Sequence, residues 1–161
     1  MWQPGTIATD YRYAPPALNF SAYREKGSVK VVGTAHDDKN LLRGQRILIV
    51  EDEVLVAMDM AYSLEEYGAE IIGPVHSLDD ALTIVGEEYV QAAVLDVDLF
   101  GVESYPVAHK LQSQNVPFLF NTGHASRHEI SDLFGAVPVC VKPTDSETLA
   151  GVLHVMLKAP N

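Results

Sequence analysis

The run Ala92-Ala93-Val94-Leu95-Asp96-Val97-Asp98-Leu99-Phe100-Gly101 decides how the chain is read. Its first four residues are unbroken apolar, the pattern of a strand buried on both faces of a parallel sheet. A carboxylate, Asp96, stands where the apolar run gives out, and a second acid and a glycine follow, which is how a chain leaves a sheet. In open α/β sheets, ligands and chemistry gather at the carboxyl ends of strands. Asp96 is therefore a candidate reactive group, and its plainer alternative is a loop cap.

Outward from this run the pattern is regular. Ile47-Leu48-Ile49-Val50 reads as a buried strand that stops at Glu51-Asp52-Glu53. Helical spacing follows from Val54 to Tyr67, where Leu55, Met58, Ala61, Tyr62 and Leu64 can share a face, and Gly68 sits where a C-cap belongs. Ile71-Ile72 reads as a second strand ended by Gly73-Pro74. Ser77-Leu78-Asp79-Asp80 resembles a capping box opening a helix through Ala81, Leu82, Ile84 and Val85. Beyond Asp96 the pattern predicts a helix over 105–114 and a strand at Phe118-Leu119-Phe120, ended by Asn121-Thr122-Gly123. A weak, short helix over 127–134 and a strand over 137–141 follow. Thr144-Asp145-Ser146-Glu147 reads as the capping box of a last helix that turns Leu149, Val152, Leu153 and Met156 inward. Five β-α units in succession imply an α/β, doubly wound, five-stranded parallel sheet with helices on both faces.

The 161 residues suit one domain with a substantial core. Residues 1–45 hold six Lys/Arg and four Asp/Glu, whereas residues 46–161 hold five and eighteen. An acidic body of this kind repels nucleic acid, and the step near residue 45 marks a boundary between an N-terminal extension and a domain over 46–158. No apolar run reaches the ~18 residues of a transmembrane span, and no signal-peptide pattern opens the chain. With one cysteine, Cys140, inside an apolar run, a reducing cytoplasmic setting and no membrane partner are expected. Within the extension, Thr6–Tyr13, Leu18-Phe20-Ala22 and Val29-Val31 alternate weakly around Pro15-Pro16 and Gly27. A small β arm and a disordered segment are the two readings. His36-Asp37-Asp38-Lys39-Asn40 reads as a polar linker.

A parallel sheet brings the strand ends to one edge, which collects Glu51 and Asp52, Asp96, Thr122, and Lys142-Pro143. Three crowded carboxylates raise one another's pKa above about 4 unless a cation intervenes. An all-oxygen cluster suits Mg²⁺, and the absence of histidine and cysteine from these strand ends argues against zinc. A lysine and a hydroxyl nearby are the donors that a phosphoryl group needs.

These residues carry a resemblance. Ile47-Leu48-Ile49-Val50-Glu51-Asp52-Glu53, Val94-Leu95-Asp96-Val97-Asp98-Leu99, Thr122-Gly123 and Val141-Lys142-Pro143 resemble the receiver domain of two-component response regulators, from about Arg46 to Leu157. The resemblance implies a flavodoxin-like fold in which Asp96 accepts a phosphoryl group from a histidine kinase or a phosphotransfer protein. It implies Mg²⁺ held by Asp52 and Asp96, by Glu51 mainly through water, and by the backbone carbonyl of Asp98. Thr122 and Lys142 would contact phosphoryl oxygens, with a cis bond expected at Pro143. Asp98 and His124, each two residues past a site residue, would tune the phosphoryl lifetime, the alternative being two solvated loop residues. Implied partners are the phosphodonor and a downstream protein, with a homodimer an open arrangement. The implied role is phosphoacceptor, with at most self-catalysed transfer and autodephosphorylation, and not a turnover enzyme.

The sequence also departs from the family pattern. Phe100 stands where a proline is common, Val139 where an aromatic switch residue is usual, and Thr144 where Phe often follows Lys-Pro. Phe120-Asn121-Thr122-Gly123 resembles the Phe-Ala-Thr-Gly signature of a subfamily with a reduced fourth helix, which commonly lacks the aromatic switch. A stand-alone receiver is the expectation, with the C-terminal receiver of a hybrid histidine kinase as the alternative. An aspartate-nucleophile phosphatase, which Asp96-Val97-Asp98 also resembles, carries that motif on its first strand rather than its third. A degenerate receiver that only binds partners would have no need of the intact acids and lysine.

Overall fold

A computed structural model describes residues 21–25, 28–32, 39–123 and 127–158. Ser21–Glu25 (β1) and Ser28–Val32 (β2) form an antiparallel hairpin. Thr6–Tyr13, Leu18 and Phe20 lie outside the described residues. The remaining elements run in order Arg46–Val50 (β3), Val54–Glu66 (α1), Glu70–Val75 (β4), Leu78–Glu87 (α2), Ala92–Leu95 (β5), Asp98–Leu99 (β6) and Val102–Glu103 (β7). They continue with Tyr105–Ser113 (α3), Phe118–Thr122 (β8), Arg127–Phe134 (α4), Val139–Val141 (β9) and Ser146–Lys158 (α5). The hairpin's β2 lies beside β9 and α5.

Five strands make one parallel sheet of order β4-β3-β5-β8-β9, the doubly wound arrangement the apolar runs imply. Strand alternation divides its side chains between two cores. Leu48, Val50, Ala93, Leu95, Phe118 and Phe120 meet α2, α3 and α4 on one face, where Tyr105, Phe118, Phe120 and Phe134 form an aromatic cluster. Ile47, Ile49, Ala92, Val94 and Leu119 meet α1 and α5 on the other. Fully burying each such Leu or Ile stabilises the fold by roughly 1.5–3 kcal/mol. Leu41 and Leu42, just ahead of the charge step, are also buried in the second core, and the Leu42 N–H donates to the Tyr67 carbonyl at 2.8 Å.

Four local readings change. In α1 the buried face is Ala57, Met60 and Leu64, whereas Leu55 (81 %), Met58 (60 %) and Tyr62 (65 %) are exposed. Two apolar stripes of the same spacing lie on this helix, and contact with the sheet selects one. Strand β4 does not stop at Gly73-Pro74 but continues to Val75 across a register shift. It is an edge strand, where a missing N–H leaves no ladder partner unserved. Phe100 and Gly101 have φ of 55° and 83° and turn β6 into β7, a small hairpin that the apolar periodicity does not predict. Finally, the cap of α5 is Asp145, whose carboxylate accepts from the Thr148 N–H and hydroxyl, both at 2.8 Å. The Ser77 cap of α2 holds, with the Asp80 N–H donating to its Oγ at 3.2 Å.

Candidate functional site

Strands β3 and β5 are neighbours at the point where the strand order reverses, and their register pairs Val50 with Leu95. The Asp96 N–H donates to the Val50 carbonyl at 2.8 Å and the Glu51 N–H to the Val75 carbonyl at 3.0 Å. Each acid thus leaves its strand with its backbone still tied to the adjacent one. One carboxylate oxygen from each of Glu51, Asp52 and Asp96 lies within 4.8 Å of the others. Glu51 and Asp96 are buried and Asp52 is half-buried. Asp98 is exposed, and its side chain accepts from the Gly101 N–H, which leaves its backbone as the part expected to reach a metal. His124 lies outside the described residues.

Lys142 comes to this cluster from the far side of the sheet. Its Nζ donates to Asp96 Oδ2 at 2.6 Å and lies 2.6 Å from Glu51 Oε2, with Glu53 more distant at 3.9 Å. Lys142 Nζ is therefore the close cationic partner of both buried carboxylates, Asp96 Oδ2 and Glu51 Oε2. Burial pushes Glu51 above its ordinary value of 4.5; the Lys142 charge and hydrogen bond pull it back in part, and neighbouring Asp96 adds a smaller upward push. Burial alone would lower Lys142, yet its bonds to Asp96 and Glu51 prevail and raise it above 10.5. The lysine is therefore a firmly protonated counter-ion. Thr122 is buried at the end of β8, and its carbonyl accepts from the Lys142 N–H at 3.1 Å. The Lys142-Pro143 peptide is cis, as the resemblance implies.

Several residues that carry no motif support this geometry. His76 Nδ1 lies 2.6 Å from the Glu51 carbonyl; a carbonyl only accepts, so the ring N–H donates. Ser104 is fully buried and its hydroxyl donates to the Asp96 carbonyl. The Phe100 N–H, aimed by the positive φ of its turn, donates to Asp52 Oδ2 at 3.0 Å. The Thr144 hydroxyl donates to Asn121 Oδ1 at 2.8 Å. A serine eight residues past Asp96 or a histidine at the end of an edge strand carries no periodic signal, so only the fold reveals them.

The response regulator receiver domain profile matches residues 47–154, and the chain belongs to that family, whose members act in two-component signalling. Among its relatives, the transcriptional regulatory protein PdtaR of Mycobacterium tuberculosis is 28% identical over 102 residues, covering 62% of this chain and 50% of that protein. The two-component response regulator PhoP of Pseudomonas aeruginosa is 30% identical over 117 residues, covering 70% and 52%. The chain thus spans about half the length of the relatives it matches. Among solved structures, that of SdrG from Sphingomonas melonis Fr1 is 37% identical with a TM-score of 0.61, covering 73% of this chain and 98% of SdrG. Among the described residues, no helix is long and apolar enough to cross a membrane.

Proposed function

We propose that this chain is a phosphoacceptor, taking a phosphoryl group on Asp96 from a histidine kinase or a histidine phosphotransfer protein. The observation that carries the reading is Lys142 Nζ held 2.6 Å from Asp96 Oδ2 inside a cluster of three carboxylates. An Asp96 oxygen would attack phosphorus, forming an O–P bond as the bond to the donor nitrogen breaks, and the departing imidazole keeps the electron pair. Lys142 balances the charge on the phosphoryl oxygens, and the Thr122 hydroxyl donates to another. The acid cluster fits a hard divalent cation, because its donors are all oxygen and the three carboxylates converge to within 4.8 Å of one another. Glu51, Asp52 and Asp96 would hold Mg²⁺ together with the Asp98 carbonyl, and the bound ion would neutralise charge that Lys142 alone does not.

The product is a phosphoprotein and not a released compound, so a steady phosphatase turnover is not expected. The exposed stripe of Leu55, Met58 and Tyr62 begins three residues past Asp52, and we assign it to the phosphodonor. The output goes to a downstream protein. Incubation with acetyl phosphate and Mg²⁺, read by intact mass and peptide mapping, tests the reading. Modification should fall on Asp96, and Asp96→Asn should lose uptake by at least about a hundredfold. Wild-type rates in Asp96→Asn, or continuous hydrolysis of a generic phosphate monoester, would sink it.

A further inference from the structure

Asn121 is a buried polar residue in β8, set between Phe120 and Thr122. A buried amide is costly unless it is hydrogen-bonded, so its partner is informative. That partner is Thr144, whose hydroxyl donates to Asn121 Oδ1 at 2.8 Å and also lies 3.1 Å from the Val141 carbonyl. The sequence pattern assigns Thr144 to a helix cap, yet Asp145 takes that role, which leaves the Thr144 hydroxyl to reach across to β8. Both positions depart from the motifs the sequence resembles, and in the fold they meet each other.

This bond does not stand alone. The Lys142 N–H donates to the Thr122 carbonyl at 3.1 Å, and the strand register pairs Asn121 with Cys140 and Thr122 with Val141. Residues 121–122 are thereby tied to the Lys142-Pro143 segment on both sides of Lys142. Thr122 is next in sequence to Asn121, and Lys142 is two residues before Thr144. A displacement of Thr122 toward a group on Asp96 would carry the Lys142 loop with it. We propose that Asn121 and Thr144 are positioning residues, a hydrogen-bonded clamp that presents Thr122 and Lys142 to the phosphoryl group as one unit. The inference rests on the phosphoacceptor reading and adds to it the means by which the two donors are aligned.

The test uses the full chain with acetyl phosphate and Mg²⁺, comparing wild type, Thr144→Val, Thr144→Ser, Asn121→Ala and the double variant Asn121→Ala/Thr144→Val. Thr144→Val keeps the shape and removes the hydroxyl, and Thr144→Ser keeps the hydroxyl. Loss of one hydrogen bond should slow phosphorylation about two- to tenfold in Thr144→Val and in Asn121→Ala. The double variant should be no slower than the slower single to within about twofold, because both remove the same bond. Thr144→Ser should restore the rate. The Mg²⁺ concentration that half-saturates thermal stabilisation should stay within about twofold of wild type throughout, because every variant keeps the three acids and the Lys142 charge beside them; a general loosening would move both readouts. The clamp is refuted by a wild-type rate in Thr144→Val, by multiplicative single effects, by a slow Thr144→Ser, or by a Mg²⁺ midpoint that moves with the rate. If Thr144→Val does not fold, Thr144→Ala takes its place in the same cycle. A wild type that takes up no phosphoryl group overturns the phosphoacceptor reading itself; a phosphorylated wild type matched by Thr144→Val overturns the clamp alone.

Discussion

Glu51, Asp52 and Asp96 leave β3 and β5, which are neighbours near the centre of the sheet, whereas Thr122 and Lys142 leave β8 and the edge strand β9. The acids are held by backbone bonds from the strands beside them, by buried Ser104 under Asp96 and by half-buried His76 under Glu51. The donors are held to each other, through the Lys142 N–H on Thr122 and the Thr144 hydroxyl on Asn121. One half is therefore a fixed, charged cradle, and the other is a pair of linked loops. Among the described residues, the Lys142 side chain links the two halves. Its ammonium offsets the mutual repulsion of the Glu51 and Asp96 carboxylates, lying 2.6 Å from each.

Breaking the bridge between the halves should have the largest effect on stability. Lys142→Met removes the counter-ion of Glu51 and Asp96 and should destabilise the metal-free protein by about 2–3 kcal/mol in urea melts with chelator. Mg²⁺ should then recover more stability in the variant than it adds to wild type. A loss within the range of a surface ion pair, below about 0.5 kcal/mol, would mean that the halves are not joined through Lys142.

Sharpening the acid half comes next. Mg²⁺ at ten times its Kd should stabilise wild type by roughly 1.4 kcal/mol, measured as a shift of the melting transition. Because the folded pKa of Glu51 is raised, its contribution is complete below 4.5 and is lost as pH rises through the raised value. Ionised Glu51 therefore opposes folding at neutral pH. Glu51→Gln should leave the metal-free protein as stable as wild type or more so, while most of the Mg²⁺ gain disappears. A melting transition indifferent to Mg²⁺ in wild type would remove the case for the cluster.

On the donor side, Asp145→Ala should cost about 1 kcal/mol through the lost α5 cap. Partial burial pushes Asp145 up, but the Thr148 N–H and hydroxyl outweigh it and hold the carboxyl below 3.8. The cap's stabilisation is thus present above 3.8 and lost as pH falls through the depressed value, and the difference between wild type and variant should shrink in acid. A difference constant down to the acid transition would contradict the assignment.

The smallest expected effect is a change of local order. Val139 is buried and stiff at χ1, and it packs against the core that contains Phe120 and Phe134, with little capacity to turn as a ring would. Beryllofluoride with Mg²⁺ should instead alter hydrogen exchange over residues 127–135 while leaving α1 unchanged. Protection changes confined to α1 would reverse the comparison and make the acid half the moving one.

Much of this arrangement is legible in the sequence. Ile47–Val50, Ala92–Leu95 and Phe118–Phe120 are short apolar runs ending in polar residues, and a strand buried on both faces has few other ways to be written. Because parallel strands deliver their ends to one edge, naming the strands also names the residues that gather there. The supports are not legible in this way: the bonds from His76, Ser104 and Thr144 join residues eight or more positions apart, with no spacing rule to connect them.

By itself the sequence determined the order of strands and helices and the residues at the site edge, since both follow from local periodicity and chain direction. It could not choose between the two stripes of α1, because Leu55-Met58-Tyr62 and Ala57-Met60-Leu64 have the same spacing and comparable apolar character. The same ambiguity holds at Thr144 and Asp145, where either side chain can cap a helix start. Tertiary structure decided both. The sheet accepts the smaller Ala57 stripe against its face, and Asn121 offers Thr144 a buried partner that water and a helix end do not. Which of two adequate local solutions is adopted depends on what the other elements bring against it, and that contact exists only once the chain has folded.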